Sequence, residues 1–263
     1  MNFDDQEEFL ADLRRTKSTE GLCPLCEGTE RRLVDGVYEF CKCWRDRVYP
    51  AKFREAGIPE AYYGMTLSDW NINEDGNSRA LNAREIARKE NVLAIMTPYI
   101  KCLPLWCASP PMSLPLPHKN GTTSKISSLA ISGNRKSGKT MLAALIGMGA
   151  CRFGLRVKFY QWAELVPILT SFENREQQDA LADEFRTAHY VIIDNIRNTS
   201  INYPYFRIQL ERLSGTRLAS GKPTILTFYE DDRNGYTEYE GGSVWESLIK
   251  SCFSLPLPRS IED

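Results

Sequence analysis

Eight residues, Gly133, Asn134, Arg135, Lys136, Ser137, Gly138, Lys139 and Thr140, carry the most specific chemistry in the chain. Their spacing fits G-x-x-x-x-G-K-[ST], and an apolar run precedes them while a helix-forming run opens at Met141. Gly133 and Gly138 allow the backbone to turn tightly, so that successive N–H groups face inward toward phosphate oxygens. The helix that follows adds the positive end of its dipole. Lys139 can reach the β- and γ-phosphates, and the Thr140 hydroxyl can ligand Mg²⁺. Gly133 through Met141 is therefore expected to hold ATP or ADP.

A second element must complete such a site. Tyr190-Val-Ile-Ile-Asp194 is an apolar run that ends in a carboxylate. A carboxylate leaving a buried strand is costly unless it meets a cation or donors, and a Mg²⁺-bound water beside the phosphates suits it. Capping a helix after the strand is the other use for such an aspartate. Asn195 comes next. Its amide can orient a water but cannot take the water's proton. A positioned base contributes about 10²–10⁴-fold, so slow turnover is expected from Lys139, Asp194 and Asn195.

Four of the eight cysteines cluster as Cys23-Pro-Leu-Cys26, fourteen residues, then Cys41-Lys-Cys43. Two close pairs that bracket a hairpin-length segment can close a tetrahedral Zn²⁺ site. All four ligands are protein atoms, so the site is read as structural. A redox pair is the competing use. Residues 31–54 hold seven basic residues and three acids, with Tyr38, Phe40, Trp44, Tyr49 and Phe53 among them. Such a module can bind single-stranded nucleic acid by stacking and phosphate contact, dock a protein, or act as a stapled spacer.

The elements around these residues alternate. Residues 127–133, 190–196 and 222–229 read as apolar strands, 138–154 as a helix, and 156–165 as a strand entering a helix. Strands that alternate with helices predict an α/β domain built on a parallel sheet covered on both faces. Residues 78–100 read as a helix. Residues 102–125, rich in Pro and Ser, read as an irregular surface insertion. Near the N-terminus, Phe9, Leu10 and Leu13 share one face of a short amphipathic helix. The expected organisation is an N-terminal helix and Cys₄ module for partner or DNA binding (1–54), a linker and helix (55–101), and an ATPase domain carrying the insertion (102–263).

Composition narrows the rest. A net charge of −1 leaves no global basic field, so any nucleic-acid contact must come from a local patch. The acidic start lacks the apolar core of a secretion signal. No apolar run reaches the roughly 18 residues of a spanning helix. A cytosolic protein with no membrane partner is expected, in which clustered cysteines hold metal rather than disulfides.

Taken in order, these pieces resemble the replicative helicase loaders of the DnaC and DnaI type, grouped with the IstB-like transposition ATPases in the AAA+ superfamily. The cysteine module, the Ile58-Pro59 linker running to Trp70, the phosphate loop, the Asp194 strand and the stretch Leu210–Thr227 carry the resemblance. It implies an AAA+ P-loop ATPase that forms homo-oligomers with nucleotide, delivers a replicative hexameric helicase and contacts single-stranded DNA. It also implies that Arg217, or failing it Arg212, is an arginine finger for a neighbouring subunit, which in GTPase precedents adds about 10³–10⁵-fold. Three positions depart from the family: Asn195 for the second acid, Phe228 or Tyr229 for a polar sensor after Thr227, and Ser247 where a second sensor arginine is expected. An IstB-like transposition helper and a non-hydrolysing ATP-gated adaptor are the alternatives.

Overall fold

The computed structural model describes residues 23–34, 37–70, 82–106, 127–171, 173, 175–197, 204–229 and 244–257. The expected helix in 1–19, most of the 102–125 segment and the acidic run at 230–232 lie outside them. The chain divides into two compact units, Met1–Lys52 and Phe53–Asp263.

The first unit is built on a hairpin of β1 (Arg31–Val34) and β2 (Val37–Phe40), paired antiparallel from Arg31↔Phe40 to Val34↔Val37. Helix α1 (Lys42–Glu55) follows, and its last turn, from Phe53, falls in the second unit. Among the described side chains of the first unit, only Cys26 and Cys41 are buried.

The second unit begins where α1 stops. Gly57 N–H bonds Arg54 O and Ile58 N–H bonds Phe53 O, a Schellman closure that needs the left-handed conformation at Gly57 (φ 77°). A Cβ there would also lie 2.6 Å from Phe159 O. The linker then passes β4 (Val157–Gln161), where Phe159 N–H donates to Ala56 O at 2.7 Å. Two short 3₁₀ turns, Glu60–Tyr62 and Leu67–Asp69, carry it to Trp70. Helix α2 (Ala83–Lys101) starts on a capping box in which Asn82 Oδ1 accepts from Arg84 and Glu85 N–H. A short α3 (Leu103–Trp106) follows.

Five parallel strands form the sheet, in the order β4-β5-β6-β3-β7, with β3 (Leu129–Gly133), β5 (Tyr190–Ile196), β6 (Thr224–Tyr229) and β7 (Phe253–Pro256). One face packs on α4 (Lys139–Arg152), behind which lie α2 and α3; α4 is therefore buried nearly all round. The other face is covered by α5 (Trp162–Thr170), α6 (Arg175–Thr187), α7 (Pro204–Ser220) and α8 (Val244–Ser251), which bury Leu165, Phe185, Phe206, Leu213 and Leu248 against Val191, Ile193 and Leu226. This is the parallel α/β architecture that the alternating strands and helices predict. The carboxyl ends of β3, β4, β5 and β6 meet at one edge, with Gln161 beside Asp194 and Gly133 beside Tyr229. Ligands of open parallel sheets bind at that edge.

Candidate functional site

The phosphate loop joins β3 to α4 around Gly138, the residue before the helix, held left-handed at φ 91°. Trp70 reaches it from 67 residues upstream and donates its indole N–H to Ser137 O at 3.3 Å. A Cβ on Gly138 would lie 2.3 Å from that indole nitrogen, so glycine is required both by the backbone angle and by the ring laid over it. Lys139 Nζ donates to Gly133 O at 2.8 Å and Asn134 O at 2.5 Å, which holds the ammonium across the mouth of the loop. Burial lowers its pKa to about 8, against the opposing charge of Asp194. Arg135 and Lys136 are exposed at the loop's tip. Ser137 Oγ is buried with no hydrogen-bond partner among the described residues, as expected of a donor set for a phosphate oxygen.

Asp194 is 2% exposed and its carboxylate is fully employed. It accepts from Thr140 Oγ1 at 3.0 and 3.1 Å, Thr227 Oγ1 at 2.6 Å and Gln161 Nε2 at 3.1 Å. A hydroxyl and a carboxylate side by side are hard oxygen donors of the number that Mg²⁺ takes from protein, with water and phosphate filling its octahedron. Thr140 and Asp194 therefore fit the ion.

Asn195 stands in a β-bulge. The register jumps from Ile193↔Leu226 to Ile196↔Phe228, so Asp194 and Asn195 together face the single Thr227. Asn195 is left-handed at φ 61°, and its N–H donates to Thr227 Oγ1 at 2.8 Å. Thr227 thus ties both residues, one through each role of its hydroxyl.

A cavity of about 590 Å³ opens over these groups, of the size a nucleotide needs. Gly138, Lys139, Thr140, Met141, Asp194 and Asn195 line it. Sequence reasoning missed Gln161 and Tyr62, and left Tyr229 as one of two candidates. Gln161 ends β4 level with Asp194, a position that strand register alone points to. Tyr62 reaches the cavity from the linker; burial, more than the nearby Asp194 charge, raises its phenol pKa. Tyr229 decides between the two sensor candidates, since it lines the cavity while Phe228 is buried in the core. Ser247 is an exposed residue on α8.

Arg217 does not serve the expected role. It is 1% exposed, and its guanidinium donates to Thr224 Oγ1 (3.1 Å), Phe185 O (2.8 Å), Ala188 O (3.0 Å), His189 O (3.2 Å) and Pro223 O. Those bonds use all five N–H groups, so none remains for a neighbouring subunit's phosphate. The side chain instead clasps the end of α6 to the starts of β5 and β6. Of the two arginines, Arg212 is the exposed one, paired with Asp179 at 3.0 Å. Replacing the clasp by Met strands the Phe185, Ala188 and His189 carbonyls, at about 1–3 kcal/mol each before water reaches them, while Pro223 O keeps the Val191 N–H. R217M is expected to lower Tm by about 10 °C or more in a thermal melt, whereas an exposed finger would leave Tm unchanged and lose only assembly-dependent hydrolysis.

In the other unit the four cysteine Sγ atoms all lie within 4.8 Å of one another, with Cys23–Cys41 at 3.9 Å and Cys26–Cys43 at 3.5 Å. Tetrahedral Zn–S bonds of about 2.3 Å require S···S near 3.8 Å, so the cluster fits zinc. A tight turn builds the first pair: Glu27 N–H bonds Cys23 O at 2.8 Å, and Thr29 Oγ1 bonds Cys26 O at 2.6 Å. Cys41 N–H bonds Glu30 O at 2.7 Å, which brings the second pair across the hairpin's base. In the metal-free thiols, the Leu25 N–H lowers Cys23 to about 7, and desolvation raises Cys43 to about 12.

Residues 122–203, a stretch that contains β3, the phosphate loop and the Asp194 strand, match the family described as IstB-like ATP binding protein. The match covers 82 of the chain's 263 residues. The fold of the parallel-sheet unit is shared with DnaI (TM-score 0.53, 14% identity, over 76% of this chain and 94% of that one). It is shared as well with a chain from Streptococcus pyogenes serotype M3 described as a primosome component (TM-score 0.52, 14%, over 79% and 95%). DnaA bound to AMPPCP and single-stranded DNA matches at TM-score 0.50 and 13% identity, over 76% of this chain. This chain spans half the length of the AMPPCP-bound DnaA chains it matches. No curated protein matches the sequence. Among the described residues, no helix is long and apolar enough to cross a membrane.

Proposed function

We propose that this protein is an ATP-switched loader that delivers a replicative hexameric helicase onto single-stranded DNA and hydrolyses ATP slowly. The observation that carries the reading is the meeting of Lys139, Thr140 and Asp194 around one nucleotide-sized cavity. Gly133 to Met141 would hold ATP or ADP, and Thr140 with Asp194 would hold Mg²⁺, which neutralises phosphate charge. Asn195 lines the cavity and orients water without taking its proton. Slow hydrolysis suits a protein that keeps one shape while ATP is bound and gives it up on exchange or turnover.

The zinc unit, ahead of the ATPase, is the part proposed to meet a partner or DNA. Leu25 and Leu33 are 53% and 52% exposed, with Arg31 and Arg32 exposed beside Leu33, a pairing of apolar and basic groups suited to docking. The likeness in fold to DnaI and to the primosome component, over nearly all of their lengths, supports a loader. Oligomers would form with nucleotide, and Arg212 is the exposed arginine available to a neighbour. The IstB-like match keeps a transposition helper as the second reading, with duplex DNA and a transposase as its partners.

Mass photometry with the host's replicative helicase, in ATP, in ADP and without nucleotide, tests this. A defined complex is expected in ATP that weakens in ADP, and Lys139→Ala should abolish that dependence. No complex in any nucleotide rejects the loader. A complex that K139A leaves untouched rejects nucleotide gating.

A further inference from the structure

We propose that Arg197 is a γ-phosphate ligand, acting within its own chain, that makes the site prefer ATP to ADP. The proposal rests on the nucleotide-site reading above. Arg197 follows β5 directly, two residues beyond Asn195, at the sheet edge where the phosphate loop lies. It is exposed. Its guanidinium carbon stands 5.2 Å from the centroid of the Tyr229 ring, and Lys139 Nζ stands 4.7 Å from the same centroid. Both distances are within cation–π range. Tyr229 also lines the cavity. One aromatic ring therefore holds an exposed arginine close to the phosphate-loop lysine.

Two cations gathered on one ring repel each other. They are at most about 10 Å apart, no more than a Debye length at 0.1 M salt. An anion in the adjoining cavity relieves that repulsion, and the more highly charged it is toward this edge, the more it gains. Lys139 serves the β- and γ-phosphates. A second cation beyond it on the strand-end side meets the terminal phosphate, which a diphosphate lacks. Arginine suits the task because its planar fork pairs two phosphate oxygens at once and never loses its charge. Arg135 and Lys136 line the cavity from the phosphate loop, but at the strand-end side Asn195 is neutral, Arg217 is consumed by its carbonyls and Ser247 carries no charge. The unusual aromatic at the sensor position also acquires a purpose. A short polar residue there could not hold Arg197 in place.

Isothermal titration of the full chain with Mg²⁺ and either a non-hydrolysable ATP analogue or ADP tests the proposal, on wild type, Arg197→Ala and Arg197→Lys. The wild type is expected to bind the analogue more tightly than ADP. R197A should weaken the analogue by about tenfold, the scale of one lost charge-assisted contact, and change ADP by less than about twofold. R197K, which keeps the charge but not the fork, should fall between. Because Arg197 is exposed, both variants should melt at the wild-type temperature. Equal affinities for the analogue in wild type and R197A, or an equal loss for both nucleotides, overturns the proposal while the nucleotide site stands. A wild type that binds neither nucleotide overturns both.

Discussion

Removing metal from the cysteine cluster is expected to unfold the first unit and leave the second unit folded. Folding usually buries apolar side chains, and in Met1–Lys52 the buried, described side chains are Cys26 and Cys41. Its described leucines, Leu25 and Leu33, are half exposed. What gathers the hairpin, the turn and the start of α1 is the thiol cluster, supported by the exposed Arg47–Glu30 pair at 2.6 Å. An exposed pair contributes at most about 1 kcal/mol, against roughly 10–16 kcal/mol for a structural zinc in small modules. A strong chelator, or Cys26→Ser, should therefore open residues 23–52 to protease within minutes, while a fragment starting near Phe53 resists, since its core lies in the separate sheet. Full protease protection after the metal has been removed, measured by a thiolate–zinc assay, would show that residues outside those described hold the unit together.

The cysteine cluster, the phosphate loop and four of the five strands of the sheet were readable because each is written locally. Cysteine spacing, the G-x-x-x-x-G-K-[ST] spacing and apolar runs bounded by turns all act over fewer than about twenty residues, the scale on which sequence patterns report. What escaped depends on meetings between distant segments. The Trp70 bond to Ser137 joins residues 67 apart, and nothing in either neighbourhood announces it. Arg217 illustrates the stronger failure. Its place before a Lys-Pro-Thr strand suggests a finger, yet the same place lies where α6 ends and β5 and β6 begin, and three sets of carbonyls converge there. A guanidinium with five donors satisfies them, and that outcome follows from packing rather than from any local pattern. Tyr229 was half legible: the alternation of β6 puts Phe228 and Tyr229 on opposite faces, and only the sheet's surroundings say which face is the core.

Asn195→Asp is expected to raise the rate of ATP hydrolysis about 10²-fold, at the lower end of what a positioned base contributes. The residue sits at φ 61°, where few side chains other than glycine, asparagine and aspartate are at ease. The bulge imposes that angle, because Asp194 and Asn195 must share one partner, Thr227, and both hydrogen bonds to its hydroxyl depend on it. Asparagine is thus compatible with the backbone as well as neutral, and aspartate keeps the first property while changing the second. Glutamate does not: it adds left-handed strain of about 1–2 kcal/mol, so N195E should melt earlier than N195D at similar activity. Phosphate release at saturating ATP and Mg²⁺, set beside ATP affinity and thermal melts, separates these effects. A faster N195D with unchanged affinity would mean that slow turnover is set at this position by the missing base, and the wild-type protein would then be a timer whose ATP state outlasts the loading step. If N195D turns over no faster while binding ATP as well as wild type, the attacking water is not served from the bulge, and ATP would act in this protein as a held ligand released by exchange.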